Sequence, residues 1–154
     1  MKSILIVMCL ALSALVFSAC SSDGDGNGTA MEYSVYAGTW TRILRWTSGP
    51  PAGTEHTGTI VWEVDSRGNA SGFFPVPTDS PCGGTRFDGN FSGSNTLQFS
   101  TNALNMRCSD GSWCCTGRHS ATVTFSDPNH GSGSVDVTSC CDGLRRQGTL
   151  EYVR

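Results

Sequence analysis

Six cysteines in the second half of the chain are the residues best suited to do chemistry. Two are adjacent in "DGSWCCTGRHS" (110–120), four residues before a histidine, and another adjacent pair lies in "DVTSCCDG". Such cysteines can hold zinc, exchange thiols or form disulfides, and the compartment of the protein decides among these uses. The six are Cys82, Cys108, Cys114, Cys115, Cys140 and Cys141.

The N-terminus predicts export from the cytoplasm. Lys2 precedes an almost unbroken apolar run over residues 4–17, and two small residues and a cysteine follow. This pattern is a secretory signal, too short for a stable transmembrane helix. We therefore expect three segments. They are a signal peptide (1–19), a flexible Gly/Ser/Asp-rich tether (20–33) and one folded domain (34–154).

The end of the signal, "FSAC", resembles the lipobox of bacterial lipoproteins, with Phe17 where that family prefers leucine. The resemblance implies cleavage before Cys20, a diacylglycerol thioether on its sulfur and a fatty acid such as palmitate on its amine. Ser21 replaces the aspartate that retains enteric lipoproteins in the inner membrane. The resemblance therefore implies a cell-envelope protein, anchored by lipid in the outer membrane. The alternative is an ordinary signal peptide cut near Ala19.

An even number of cysteines in an exported domain indicates a disulfide-stapled fold. The C-x-x-C spacing typical of zinc and thioredoxin-like redox sites is missing, so we expect three disulfides and no metal. Extending the hairpin centred on Pro128 places Cys115 opposite Cys141, which predicts that bridge. The other four cysteines would form the remaining two.

The domain alternates apolar and polar residues between turns, and no helical period is sustained after the signal. We expect an all-β fold in which successive hairpins close into an eight-stranded antiparallel up-and-down barrel, with a two-sheet sandwich as the alternative. Residues 102–117 are expected to form an irregular loop. The predicted strands are 34–46, 57–64, 70–77, 86–93, 96–101, 118–126, 132–139 and 147–153.

The tripeptide Gly38-Thr39-Trp40, on the first predicted strand, resembles the Gly-x-Trp signature of calycin barrels, the lipocalins and avidins among them. The resemblance implies that Trp40 packs across the closed end of the barrel, under an arginine from the far part of the chain. Arg145, Arg146 and Arg154 are the candidates. The avidin ligand set is not recognisable, so no biotin site is implied.

Charge and residue spacing exclude several classes of function. Nine arginines stand against thirteen acidic residues in the exported chain, so a basic face for nucleic acid is not expected. His56, His119 and His130 are scattered, which predicts surface histidines, no catalytic site and no cofactor. We expect a non-enzymatic lipoprotein that binds a small apolar ligand or an envelope protein. The alternative is a structural or interaction lipoprotein with a filled barrel and no ligand.

The candidate ligand residues are Trp40, Arg42 and Trp62, because strand periodicity directs them inward. A guanidinium inside a barrel needs an explanation, since arginine does not lose its proton. A bulge near Thr41 could turn it outward, the strand could carry it to a solvated rim, or a carboxylate or anionic ligand could pair with it. The length of the predicted strand favours the rim. Val61 and Phe73 should face each other on the outer wall.

The lipobox resemblance predicts that Cys20→Ala abolishes lipidation, because the acceptor sulfur is lost. Labelling with a radioactive or clickable fatty acid should mark the wild-type protein and leave the variant unmarked and uncleaved. Cys9→Ala, inside the signal, is the matched control and should be labelled normally. Equal labelling of Cys20→Ala and wild type would contradict the resemblance.

Overall fold

A computed structural model of the protein describes residues 32–74 and 80–154. It shows an all-β domain preceded by a short 3-10 helix, Tyr33–Tyr36. The strands are β1 (Gly38–Trp46), β2 (Glu55–Val64), β3 (Asn69–Phe74), β4 (Thr85–Ser92), β5 (Thr96–Thr101), β6 (Met106–Arg107), β7 (Trp113–Cys114), β8 (Arg118–Asp127), β9 (His130–Thr138) and β10 (Arg145–Val153).

Eight of these strands form a closed antiparallel barrel in the order β1-β10-β9-β8-β5-β4-β3-β2. The predicted up-and-down barrel is therefore confirmed, and the sandwich alternative is wrong. Closure between β1 and β10 runs from Thr41 opposite Val153 to Trp46 opposite Gly148. The two short strands β6 and β7 pair only with each other, inside the segment that was expected to be an irregular loop.

The start of the domain differs from the prediction. The first strand was expected from residue 34, but Tyr33–Tyr36 form the 3-10 helix and β1 begins at Gly38. Gly38 has a φ of 121°, a conformation that side chains with a Cβ rarely adopt, so the chain turns sharply there. The signal peptide, Cys20, almost all of the tether and the predicted strand residues 75–77 lie outside the described residues.

The barrel interior is filled by side chains from opposite walls. Trp62 on β2 meets Phe99 on β5 with ring centroids 5.0 Å apart, and Trp40 on β1 meets Phe125 on β8 at 5.2 Å. These aromatic residues are all nearly inaccessible to solvent. The apolar core is Trp40, Leu44, Trp46, Ile60, Trp62, Ala70, Phe87, Phe91, Leu97, Phe99, Ala121, Val123, Phe125, Val135, Val137, Leu150 and Tyr152.

One end of the barrel is closed around Trp40. The Arg154 guanidinium lies 4.3 Å from the ring centroid of Trp40 and donates hydrogen bonds to the carbonyls of Val35 and Ala37. Trp40 Nε1 donates to the Tyr36 carbonyl at 3.0 Å, and Tyr36 stacks on Phe91. Of the three arginines that the sequence left open, Arg154 is therefore the one that covers this tryptophan.

The opposite end carries the disulfides. We call residues 102–117 the lid, because three disulfides attach this segment to the loops before β4 and before β10. The predicted bridge between Cys115 and Cys141 is wrong. The β8–β9 hairpin has the expected register, but its ladder stops where Arg118 faces Thr138, and the two chains diverge beyond that point. The bonds are Cys82–Cys115, Cys108–Cys141 and Cys114–Cys140.

Close packing predicts that Gly72→Ala destabilises the fold, because an added Cβ would lie 2.6 Å from the Trp62 ring. Overpacking of this kind typically costs about 1–3 kcal/mol. Gly58→Ala is the matched control, since a Cβ there would meet no atom of residues 32–74 and 80–154 within 4 Å. Chemical denaturation should show a lower midpoint for Gly72→Ala alone. Equal midpoints for both variants would contradict the packing.

Candidate functional site

Strand register places Arg42 inside the barrel. Arg42 lies on β1 between Trp40 and Leu44, opposite Gly58 on β2 and Tyr152 on β10. Its guanidinium carbon is 4.1 Å from the centroid of the Phe74 ring. The periodicity argument that turned this side chain inward is therefore confirmed.

Two of the three expected ways of accommodating Arg42 are wrong. No bulge interrupts β1, which pairs in regular register with β2 from Gly38 to Arg45. The solvated rim was favoured because the strand was expected to be long, yet β1 has nine residues and its pairing continues beyond Arg42 on both sides. The third expectation is a carboxylate or an anionic ligand that pairs with the guanidinium, although Arg42 itself is only partly buried.

The Arg42 guanidinium has no such partner among residues 32–74 and 80–154. Its Nε atom is buried without a hydrogen-bond acceptor, and none of the ion pairs in that part of the chain includes it. Burial lowers the pKa of Arg42, but arginine remains protonated in proteins. The contact with Phe74 supplies a cation–π attraction and does not neutralise the charge.

Three further polar side chains point into the same interior and have no hydrogen-bond partner among residues 32–74 and 80–154. His119 on β8 is 3% exposed and neither ring nitrogen has a hydrogen-bond partner. The hydroxyl of Tyr152, 1% exposed, and Nε1 of Trp62, 2% exposed, are likewise unpartnered. We call Arg42, Trp62, His119 and Tyr152 the interior polar cluster. Buried polar atoms are normally satisfied, so this concentration of unsatisfied atoms marks a candidate site.

The charge of Arg42 acts on the other members of the cluster. Burial, reinforced by Arg42, lowers the pKa of His119 to about 3, so the imidazole is neutral at physiological pH. Burial also raises the pKa of Tyr152, while the same guanidinium opposes that shift. The cluster therefore holds a single positive charge together with neutral hydrogen-bonding groups.

Aromatic rings frame this cluster. Phe87 contacts both Phe74, at a centroid distance of 4.8 Å, and His119, at 5.0 Å. Phe99 lies between His119, at 5.9 Å, and Trp62, at 5.0 Å. The polar atoms are thus held in a rigid apolar surrounding, where electrostatic interactions are stronger than in water.

The guanidinium of Arg42 is not fully enclosed. Gly58 lies directly opposite Arg42 on β2, and both residues are partly exposed. Trp62, in contrast, is fully buried, with its ring against Gly72.

The predicted surface position of His119 is wrong. The register of β8 could have shown this, because His119 shares the parity of Ala121, Val123 and Phe125, all of which are buried. Of the three predicted ligand residues, Arg42 and Trp62 belong to the interior polar cluster. Trp40 instead belongs to the closed end, on the far side of the barrel interior from the lid.

Arg146 is a second buried cation, but its charge is paired. It is 7% exposed, and its Nη2 donates to an Asp142 carboxylate oxygen at 2.6 Å. Its Nη1 lies 3.3 Å from Met106 Sδ in the lid. Arg146 therefore fastens the lid to the barrel, and its charge is compensated by Asp142.

A hydrogen-bonded chain of potentially catalytic groups lies on the outer wall. Ser126 Oγ is 3.2 Å from His130 Nδ1, and His130 Nε2 is 3.4 Å from a carboxylate oxygen of Glu151. The same carboxylate group is engaged by Arg45 at 2.9 Å. Two surface grooves, along β4–β10 and β2–β4, are lined by other residues, so neither positions a substrate over Ser126. These hydrogen bonds therefore form a surface network that joins the β8–β9 hairpin to β10.

Three cysteine sulfurs lie close together in the lid region. The Sγ atoms of Cys114, Cys140 and Cys141 are within 4.8 Å of one another. Two neighbouring disulfides account for this proximity, because Cys114 is bonded to Cys140 and Cys141 to Cys108. Zinc requires thiolates, and sulfurs committed to disulfides do not provide them.

Neither a protein-family model nor a curated protein matches this chain. Within residues 32–74 and 80–154, no helix is long and apolar enough to cross a membrane.

The buried imidazole predicts a pH dependence of stability. The unfolded chain protonates His119 near pH 6.5, whereas the folded protein resists protonation until about pH 3, so stability falls as the pH drops below about 6.5. Between pH 7 and pH 5 the loss should be about 2 kcal/mol. Acidic residues whose pKa values are lowered, such as Asp65 and Asp136, lose their contribution only near and below about pH 4.

Urea titrations at pH 7 and pH 5 measure this loss. His119→Leu should remove most of the difference between the two pH values, because the group that titrates is gone. His56→Gln, at an exposed position of β2, should keep the wild-type difference. An unchanged difference in His119→Leu would show that another group is responsible.

Proposed function

We propose that the protein is a non-enzymatic lipoprotein of the cell envelope, anchored in the outer membrane through Cys20, whose barrel is an interaction module for a partner protein. The filled interior is the observation that carries this proposal. Rings from opposite walls touch, and Trp40, Ile60 and Val123 are each 0% exposed. A carrier of large apolar ligands needs a cavity along the barrel axis, and these contacts occupy that axis.

The position of the tether orients the proposed anchor. The described chain starts at the closed end, where the 3-10 helix packs against Phe91 and Phe125. A lipid on Cys20 would therefore be joined through the tether to the closed end of the barrel, at the opposite end from the disulfide-bonded lid.

The calycin resemblance supports a binding role for the barrel. Gly38 has a positive φ, and Trp40 closes one end of the barrel. Arg154 lies over the Trp40 ring and donates hydrogen bonds to carbonyls next to the 3-10 helix. This arrangement agrees with what the Gly-x-Trp resemblance implied. The covering arginine makes the closed end rigid, so side walls and lid are presented in a fixed geometry.

The outward apolar pair is the surface that we assign to the partner. Val61 and Phe73 face each other across β2 and β3 and are 41% and 49% exposed. Arg86 is the neighbour of Phe73 on β4. Aromatic residues and arginine are typical of protein interfaces, whereas binding to an anionic membrane surface would need several basic residues.

Photo-cross-linking in the producing cells tests this assignment. A photoreactive phenylalanine analogue replacing Phe73 should give one defined protein adduct, because that side chain would lie in the interface. The same analogue at Thr122, exposed on β8, is the control and should give none. The absence of a protein adduct at position 73, or an adduct with lipid alone, would contradict the partner proposal.

A further inference from the structure

We propose that the two disulfides between the lid and the loop before β10 form a site of thiol–disulfide exchange with a dithiol. When the dithiol opens the bond between Cys108 and Cys141, Cys141 passes to a new bond with Cys114. The proposal is independent of the partner surface. It rests on the closeness of the two disulfides, on the exposure of one cysteine and on the adjacency of two others in the chain.

The two disulfides lie close enough for a sulfur of one to reach the other. The Sγ atom of Cys141 is within 4.8 Å of both sulfurs of the Cys114–Cys140 bond, although Cys141 is itself bonded to Cys108. Among residues 32–74 and 80–154, Cys108 does not belong to this group of three sulfurs. Cys141 is therefore the sulfur that faces the neighbouring bond, and Cys108 is left behind when the bond between them opens.

Exposure makes the bond of Cys141 the accessible one of the two. Cys141 is exposed, as are the next three residues of its loop, 142–144. Cys114 and Cys140 are both only partly exposed. The rate of thiol–disulfide exchange depends on access to the sulfur that is attacked. A dithiol from solution therefore meets the Cys108–Cys141 bond first.

The exchange is balanced in atoms and electrons. A thiolate of the dithiol attacks Cys141 Sγ and displaces Cys108 as a thiolate, which takes up a proton. The second thiol of the dithiol then closes a disulfide within the reductant and releases Cys141 as a thiolate. The dithiol is oxidised by two electrons, and one disulfide of the protein is reduced.

The second step changes partners without further oxidation or reduction. The Cys141 thiolate attacks Cys114 Sγ, and a bond forms between these two sulfurs. The bond between Cys114 and Cys140 breaks, and Cys140 leaves with the electron pair and takes up a proton. The product holds free thiols on Cys108 and Cys140.

Chain geometry selects Cys114 as the sulfur that Cys141 attacks. Attack on Cys140 would join two adjacent residues, whose Cα atoms are only about 3.8 Å apart, below the range of about 4.4–6.8 Å usual for disulfides. Cys114 lies on the other side of the bond, and its Cα atom is 5.8 Å from that of Cys140, the neighbour of Cys141. A bond from Cys141 to Cys114 therefore needs no contact between adjacent residues.

The exchange keeps the lid attached while one disulfide is lost. Cys114, on β7, stays joined to the loop before β10, through Cys141 in place of Cys140. The Cys82–Cys115 bond still joins the lid to the loop before β4. The part that is released is the turn between β6 and β7, which begins at Cys108 and is closed by a hydrogen bond from Gly111 N to the Cys108 carbonyl.

Limited reduction of the full-length wild-type protein with dithiothreitol tests the proposal. Acid quenching, denaturation and alkylation trap the free thiols, and tandem mass spectrometry assigns each label to one cysteine. Among molecules labelled on Cys108, the second label should divide between Cys140 and Cys141 in a ratio within about tenfold of one, because one disulfide is exchanged for another. A second label confined to Cys141, the native partner, would overturn the proposal.

Two variants test the same exchange without a reductant. Cys108→Ser leaves Cys141 unbonded beside the Cys114–Cys140 bond, so the label should again divide between Cys140 and Cys141. Cys82→Ser is the matched control, because it leaves Cys115 unbonded and Cys115 lies outside the group of three sulfurs. Its label should stay on Cys115. A label on Cys141 alone in Cys108→Ser, or equal exchange in both variants, would overturn the assignment of Cys141.

Discussion

The two-residue period of the strands is the constraint on which the rest of this structure depends. In a closed barrel every second residue must face the interior, and a strand that pairs on both sides has no freedom to turn one side chain outward. Large rings therefore face glycines, as Trp62 faces Gly72 and Phe125 faces Gly131. The same constraint holds Arg42 inside, where its charge would otherwise be unfavourable.

The two ends of the barrel are stabilised by different chemistry. The closed end relies on packing and hydrogen bonds, with Arg154 joining Trp40 to carbonyls next to the 3-10 helix. The lid packs Leu104 against the core, but none of its residues is fully buried, and three disulfides hold it in place. Each disulfide typically contributes about 2–4 kcal/mol by restricting the unfolded chain.

Periodicity and turn chemistry were sufficient to predict most of the barrel from the sequence. The register of the β2–β3 hairpin followed from its turn, where Asp65 accepts hydrogen bonds from Asn69 and Gly68 has a φ of 84°. The outward positions of Val61 and Phe73 followed from that register. Such features depend on neighbouring residues, so local sequence contains the information that specifies them.

Features that depend on distant parts of the chain could not be predicted in this way. The disulfide pairing is decided by where the lid crosses the barrel mouth, and the end of the β8–β9 ladder moves Cys115 away from Cys141. Among residues 32–74 and 80–154, the absence of a carboxylate facing Arg42 is a property of all the walls together. His119 is different. Its parity on β8 follows from the sequence and predicts an inward side chain, but it was expected at the surface because histidines usually lie there.

A high-resolution crystal structure of the disulfide-intact protein tests the central claim most directly. The account predicts that Arg42 lies inside a filled barrel, with its guanidinium against the Phe74 ring and the Trp62 ring in contact with Phe99. An Arg42 side chain on the outer wall would contradict the account. An open cavity that separates Trp62 from Phe99 would contradict it equally.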